Sequence, residues 1–255
     1  GVHDSLLLVM NPPLVDGGIY KLEFNATDRA GNTAETIVVE NVLYDFTVPV
    51  MTISYPSSLS FLPKKNFTYT LSETLEEGAF LLERKGGTDD PSVPHKIPLT
   101  TKEKTSGEHQ NILLLTMPEV VEGTIYKLTF SGRDRANNFT AHISLPGIQY
   151  DFTPPILALN TPFDSTDVNH LLIDYHFNEI MLEANAIWEH TGGLPDPKER
   201  HIQALMDSEL EEGIHAGTTL LNSPLLVEGA VYSISISGKD RAGNESNAPI
   251  VKDIL

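Results

Sequence analysis

Apolar and polar residues alternate along much of the chain. Phe67-Thr68-Tyr69-Thr70-Leu71, Tyr126-Lys127-Leu128-Thr129-Phe130 and Val231-Tyr232-Ser233-Ile234-Ser235-Ile236 each set apolar side chains two positions apart. Successive side chains of a strand point to opposite faces, so this period predicts half-buried strands. Clusters of Gly, Pro, Asn and Asp punctuate the runs at short intervals, as turns require. Residues 197–212 are the one helix-like stretch, but their charge and weak period predict no more than a short turn. The pattern as a whole predicts an all-β protein.

The pattern also recurs. Asp28-Arg29-Ala30-Gly31-Asn32 returns as Asp134-Arg135-Ala136-Asn137-Asn138 and again as Asp240-Arg241-Ala242-Gly243-Asn244, a step of 106 residues each time. The same step carries Tyr44-Asp45-Phe46-Thr47-Val48-Pro49 to Tyr150-Asp151-Phe152-Thr153-Pro154-Pro155 and Asp90-Pro91 to Asp196-Pro197. His95 goes to His201, and His3 to His109 to His215, without insertion or deletion. Repeats at a fixed period of this kind mark a tandem array. The 255 residues therefore divide into 1–48, the C-terminal half of a unit, 49–154, a complete unit, and 155–255, a unit lacking its last linker. In residues 1–48, Leu6, Leu8, Tyr20, Leu22 and Phe24 have no opposing sheet of their own. Neighbouring repeats of the same chain, or another copy, are expected to complete it. The chain opens with Gly1 and has no charged-then-apolar leader, so it is read as an excerpt that carries no address of its own.

A unit of about 100 residues with several short strands fits a β-sandwich. Leu14-Val15-Asp16-Gly17-Gly18-Ile19-Tyr20, Val120-Val121-Glu122-Gly123-Thr124-Ile125-Tyr126 and Leu226-Val227-Glu228-Gly229-Ala230-Val231-Tyr232 share one form, a Gly turn before a Tyr that opens a strand. That is the tyrosine corner of immunoglobulin-like sandwiches, in which the phenol bonds back to upstream backbone between strands E and F. Trp188, the one Trp, falls on the expected strand C, with Leu82 as its counterpart a repeat earlier. With its D-x-A-G-N turn, L-x-x-G-x-x-Y corner and Y-D-x-T-x-P linker, the chain resembles the bacterial Ig-like, cadherin-like tandem repeats of large surface proteins and adhesins. The resemblance implies an extracellular or cell-surface stalk, often stiffened by calcium. Asn137 departs from the Gly of the other two turns, but Asn tolerates a left-handed backbone.

Composition narrows the partners. The formal charge is −18, which argues against nucleic acid. No apolar run approaches the ~20 residues of a membrane-spanning helix. The chain has no Cys, so disulfides, thiolate nucleophiles and Cys-ligated zinc are excluded. The negative charge is concentrated in residues 155–255, which carry five basic against sixteen acidic residues.

In an Ig-like sandwich the incoming linker meets the B–C and F–G loops of the next unit. Asp45, Glu73, Asp134 and Asn138 are expected to converge at the first junction, and Asp151, Glu179, Asp240 and Asn244 at the second. Carboxylates and amide carbonyls are the oxygens calcium takes. The competing reading is that the turn Asp residues bond backbone N–H groups of their own turns, and the linker Asp residues only cap strands. Both stay open. The histidines lack a His-x-His or His-x₃-His pair, which favours structural polar contacts over zinc. Asp90-Pro91 and Asp196-Pro197 read as turn formers. Asp164-Ser165-Thr166-Asp167-Val168-Asn169 fails the EF-hand spacing and reads as a polar loop. Neither a nucleophile elbow nor a phosphate-cradling Gly loop nor an H-E-x-x-H motif is present, so no enzymatic activity is expected.

The reading that follows is a non-enzymatic stalk or spacer of a surface adhesin or surface-structural protein, with calcium as a candidate at the junctions. The alternative is a carbohydrate- or protein-binding module of a secreted protein, with a cell-surface protein or glycan as partner. A ligand-specific surface need not recur, so residues 155–255 with Trp188 are its candidate site. An exposed Trp188 favours that alternative; a buried one weakens it.

Overall fold

The computed structural model describes residues 13–168, 171–220 and 224–255. His3, Leu6, Leu8 and Asn169 lie outside the described residues. The strands are β1 (Gly18–Phe24) and β2 (Ile37–Tyr44), then β3 (Met51–Tyr55), β4 (Phe61–Leu62), β5 (Asn66–Leu71), β6 (Glu77–Gly87), β7 (His95–Pro98), β8 (Gly107–Leu113), β9 (Thr124–Arg133) and β10 (Ile143–Tyr150). They continue with β11 (Leu157–Thr161), β12 (Leu172–Phe177), β13 (Met181–Gly193), β14 (Arg200–Ala204), β15 (Gly213–Thr219), β16 (Ala230–Asp240) and β17 (Ile250–Ile254). Among the described residues the helical content is one 3-10 turn, Asp207–Leu210, inside the stretch expected to hold only a short turn.

Between residues 51 and 150, a three-stranded sheet ordered β3-β5-β8 faces a five-stranded sheet ordered β4-β10-β9-β6-β7. The alternation in β5 explains the packing. Phe67, Tyr69 and Leu71 turn inward and are buried, and Phe67 meets Phe80 of the opposite sheet at 4.9 Å between ring centroids. Phe80 meets Phe130 at the same distance. This is the immunoglobulin-like sandwich, with β5 as strand B, β6 as C, β9 as F and β10 as G. Between 157 and 254 the sheets β11-β12-β15 and β14-β13-β16-β17 repeat the arrangement. β5 and β12 lie 106 residues apart at both ends, as do β3 and β11 and the starts of β9 and β16.

The two cores are filled differently. Phe80, Leu82, Ile97 and Phe130 of the first are replaced at the same step by Ala186, Trp188, Gln203 and Ile236, all buried. One indole occupies space where two phenyl rings are absent. β1 and β2 form a two-stranded antiparallel sheet by themselves. Their counterparts β9 and β10 bury Leu128 and Phe130, whereas Leu22 and Phe24 are exposed.

Candidate metal centre

The Asp-Arg-Ala-Gly-Asn turn builds itself from its own side chains. Asp134 Oδ1 accepts the Asn138 N–H at 2.9 Å, and its Oδ2 accepts the Asn138 Nδ2–H at 2.8 Å. Asp240 does the same with Asn244, and Asp28 with Asn32. Short polar side chains bond nearby backbone in this way at turns. The turn-forming reading of these Asp residues therefore describes bonds they make.

The same carboxylates take part in a second arrangement. Asp45, in the segment after β2, Glu73, between β5 and β6, and Asp134, at the end of β9, each bring a carboxylate oxygen within 4.8 Å of the others. Asp151, Glu179 and Asp240 do so at the next junction. Asp134 and Asp240 are buried, and the other four are half-buried. The remaining two expected residues, Asn138 and Asn244, act through nitrogen. Asn138 Nδ2 also donates to the backbone carbonyl of Asp45 at 3.2 Å, and Asn244 Nδ2 to that of Asp151 at 3.0 Å. These bonds tie each F–G turn to the incoming linker and leave Oδ1 as the atom either Asn has to offer an ion.

The other end of the linker is held by an acid of each tyrosine-corner turn, a residue with no predicted role. Glu122, from the tyrosine-corner turn, accepts the Phe152 and Thr153 N–H groups and the Thr153 hydroxyl. Asp16 accepts the Phe46 N–H at 2.8 Å and the Thr47 hydroxyl. The signal was present in the recurrence of an acid before Gly17 and Gly123.

Packing these acids together perturbs them. Burial, then the negative charges of Asp151, Asp240 and Glu122, pushes the Glu179 carboxyl up to about 7. Burial, then a hydrogen bond shared with Glu122 and the charge of Asp240, raises Asp151 to about 6. Glu73 is raised for the same reasons, burial first and then Asp45, Asp134 and Asp16. The charged groups that weigh most on Glu73 and Glu179 are all acidic. The donor set is entirely hard oxygen, which suits calcium better than zinc, whose sites favour Cys and His. Three carboxylates would supply part of the six to eight ligands that calcium takes, with backbone carbonyls and water for the rest.

The histidines are placed elsewhere. Asp90 Oδ2 accepts the Tyr126 hydroxyl at 2.6 Å and contacts His95 Nε2 at 2.7 Å, while Oδ1 accepts the Ser92 N–H. Asp196, Tyr232 and His201 repeat the triad, with both side-chain contacts at 2.6 Å. All six side chains are buried. Each Tyr hydroxyl also accepts a backbone N–H five residues upstream, from Val121 or Val227, at 3.0 Å. The tyrosine corner is thus present, and it is joined to a buried acid. Asp90 and Asp196 do make the turn bonds expected of them, yet they also anchor the loop after strand C to the corner. His109 and His215 stack on Tyr69 and Tyr175 at 4.6 and 4.4 Å. Among the described residues, the groups of three or more acids and histidines placed to share an ion are the two acidic triplets alone. Trp188 is 2% exposed on β13, so the surface-binding reading that rested on it loses its support.

No curated protein matches this chain. Among solved structures, it is similar to the FN1-FN3 domains of chicken CNTN1, at 12% identity and a TM-score of 0.40, over 95% of this chain and 78% of that one. It is also similar to the fibronectin(III)-like modules of Clostridium thermocellum CbhA, at 13% identity and 0.34, over 80% and 93%. Scores this low carry no argument. The model of the bacterial Ig-like domain (group 3) family matches residues 10–155, which is more than half of the sequence. The sandwich topology, the tyrosine corners and that match agree, and the chain belongs to the bacterial Ig-like domain (group 3) family.

Proposed function

We propose that the chain is a non-enzymatic stalk segment of a large extracellular adhesin or surface-structural protein, with calcium stiffening its inter-domain junctions. The units are read as residues 1–48, 49–154 and 155–255, each complete sandwich adding length and each junction setting stiffness. Membership of the family supports a surface location, since Ig-like domains of this kind are commonly extracellular. No helix of the described residues is long and apolar enough to cross a membrane.

One observation carries the calcium reading. Three carboxylates from three separate segments, linker, B–C loop and F–G turn, meet within 4.8 Å at each junction. Without a cation they repel, so the apo junction is loosened; a bound dication replaces that repulsion with a cross-link between linker and sandwich. Asp45, Glu73 and Asp134 hold the ion at one junction, and Asp151, Glu179 and Asp240 at the other, with Asn138 and Asn244 positioning the linkers. A ligand that binds only the ordered state stabilises it by mass action.

The test uses the whole chain. Its melting temperature rises with calcium and falls with chelator, and small-angle scattering shows a longer, narrower particle with calcium. Asp240 also builds its turn, so Asp151→Asn with Glu179→Gln is the cleaner variant. That variant melts above the parent in chelator, because repulsion is relieved, and its calcium response is reduced to that of the first junction. Calorimetry that detects no calcium binding, or a variant that responds like the parent, sinks the reading.

A further inference from the structure

The outward face of the second unit carries a groove of about 430 Å³ that the stalk reading does not use. Its floor is a row of small side chains across three strands: Ala79 of β6 stands opposite Pro98 of β7 on one side and Ser131 of β9 on the other. Two strand spacings make it roughly 10 Å wide. Lys96, Lys104, Arg133, Glu77 and the ring of Phe139 rim it. Arg133 grips Glu77 through two bonds, at 3.1 and 2.7 Å. Lys104 donates to the Glu76 carbonyl. Lys96 has no ion-pair partner among the described residues. Phe139 is 66% exposed. Arg133, Lys104 and Lys96 all weigh on Glu77, and Glu76 also weighs on Arg133, which leaves a small local excess of positive charge in a molecule whose net charge is −18.

We propose that this groove binds an anionic polysaccharide, its carboxylate or sulfate groups on Lys96, Lys104 and Arg133 and a sugar face on Phe139. Four features favour this occupant. The groove is shallow and polar-rimmed, with few placed charges, which suits a chain lying across it rather than a small enclosed ligand. An exposed aromatic ring beside cations offers an apolar face and leaves the acid groups to the lysines. Glu77 can accept hydroxyl groups, which a saccharide supplies in number. Local positive charge at Lys96 and Lys104 matches a polymer whose acid groups repeat along its length.

The groove also breaks the repeat. At the same step, the third unit has Ile202, Leu210 and Glu245 in place of Lys96, Lys104 and Phe139. Its sandwich forms without them, so the fold does not require Lys96, Lys104 or Phe139, whereas Lys239 and Glu183 keep the Arg133–Glu77 pair. This places the ligand surface in the second unit, not in the third where the Trp had pointed.

The test is mobility of the whole chain in native gels that contain polygalacturonate, dextran sulfate or neutral dextran. The parent is retarded by one or both polyanions, and salt abolishes the effect; which polyanion acts separates carboxylate from sulfate recognition. The variant Lys96→Ile, Lys104→Leu, Phe139→Glu installs the third unit's residues, and it loses about tenfold in affinity with an unchanged melting curve. If that variant does not fold, the single exposed change Lys96→Glu gives the same directional loss. Three gel results overturn the proposal: neither polyanion retards the parent, neutral dextran retards it equally, or the folded variant binds as the parent does. Sedimentation that shows the groove mediating self-association, with no polyanion binding, overturns it too.

Discussion

The Tyr126 hydroxyl accepts the Val121 N–H and donates to Asp90, which also meets His95 and the Ser92 N–H. A lone buried hydrogen bond contributes about 1 kcal/mol, but removing one partner of a buried charged acceptor costs more. Tyr126→Phe should therefore lower stability by about 2 kcal/mol in chemical denaturation. A loss indistinguishable from zero would show that the bridge contributes nothing. The same acids set an acid limit. Burial opposes ionisation of Asp90, but the bonds from Tyr126, His95 and Ser92 outweigh it and hold its carboxyl below the ordinary 3.8. Asp196 is lowered chiefly by His201, then by Tyr232 and the Lys198 N–H. A depressed carboxyl stabilises the fold above its unfolded value and loses that contribution as pH falls through the folded one. Stability should therefore fall as pH drops below about 4, and Asp90→Asn should flatten that limb of the melting profile. In the third unit, Trp188 Nε1 and Gln203 Nε2 are buried without partners. Gln203→Ile, the residue found at position 97, should raise stability by about 1 kcal/mol. A lower melting temperature would mean that the amide is satisfied by water.

A strand pair needs a partner layer before its alternation is worth anything. β9 and β10 have one, and there Tyr126, Leu128, Phe130 and Ile148 are buried. β1 and β2 reproduce the antiparallel register, yet Leu22, Phe24, Ile37 and Val39 face solvent. A two-stranded sheet is marginal in water on its own. Residues 1–48 as an isolated peptide should show no cooperative melt by circular dichroism, and light scattering should detect aggregation through the apolar face. A monomeric peptide with a cooperative transition would refute the half-unit reading. The tyrosine corner makes the point from the other side. Tyr20 keeps its bond from the Val15 N–H at 2.7 Å although its sheet is uncovered, because that contact is local to the turn.

Across the whole molecule, charge is organised by the junctions. A linker is pinned behind by Asp16 or Glu122 and ahead by Asn138 or Asn244, so each turn that ends one strand pair also fixes where the next sandwich begins. Glu179 is raised to about 7, and an unfolded Glu titrates at 4.5. The folded state thus binds the proton more tightly, and its stability rises as pH falls from above 7 toward 4.5. In chelator, the melting temperature should climb over that window before the Asp90 and Asp196 contributions fade. A melting temperature that falls steadily from pH 8 to 5 would contradict the repulsion on which the junction reading rests. Saturating calcium should remove the climb, because a bound dication keeps the carboxylates ionised.

The strands, their repeat and the corner are legible in the sequence, because each is written in local terms: a period of two, a Gly before a Tyr, an Asp bonding an Asn four residues on. The sequence also named the six acids that meet, because Asp45, Glu73 and Asp134 recur as Asp151, Glu179 and Asp240 wherever the linker and two loops recur. Three matters were decided only by tertiary structure, since each depends on residues far apart in the chain. Asp90 looked like a turn former until the fold carried it to Tyr126, thirty-six residues away, and buried both. Trp188 stood open between a strand C core position and a ligand surface until Ala186 and Ile236 left room for an indole inside the core. Lys96, Lys104, Arg133 and Phe139 carry no common motif; the pairing of β6 with β7 and β9, and the loops beside it, bring them to one groove. Local bonds are legible residue by residue, whereas burial and juxtaposition are properties of the packed sheets.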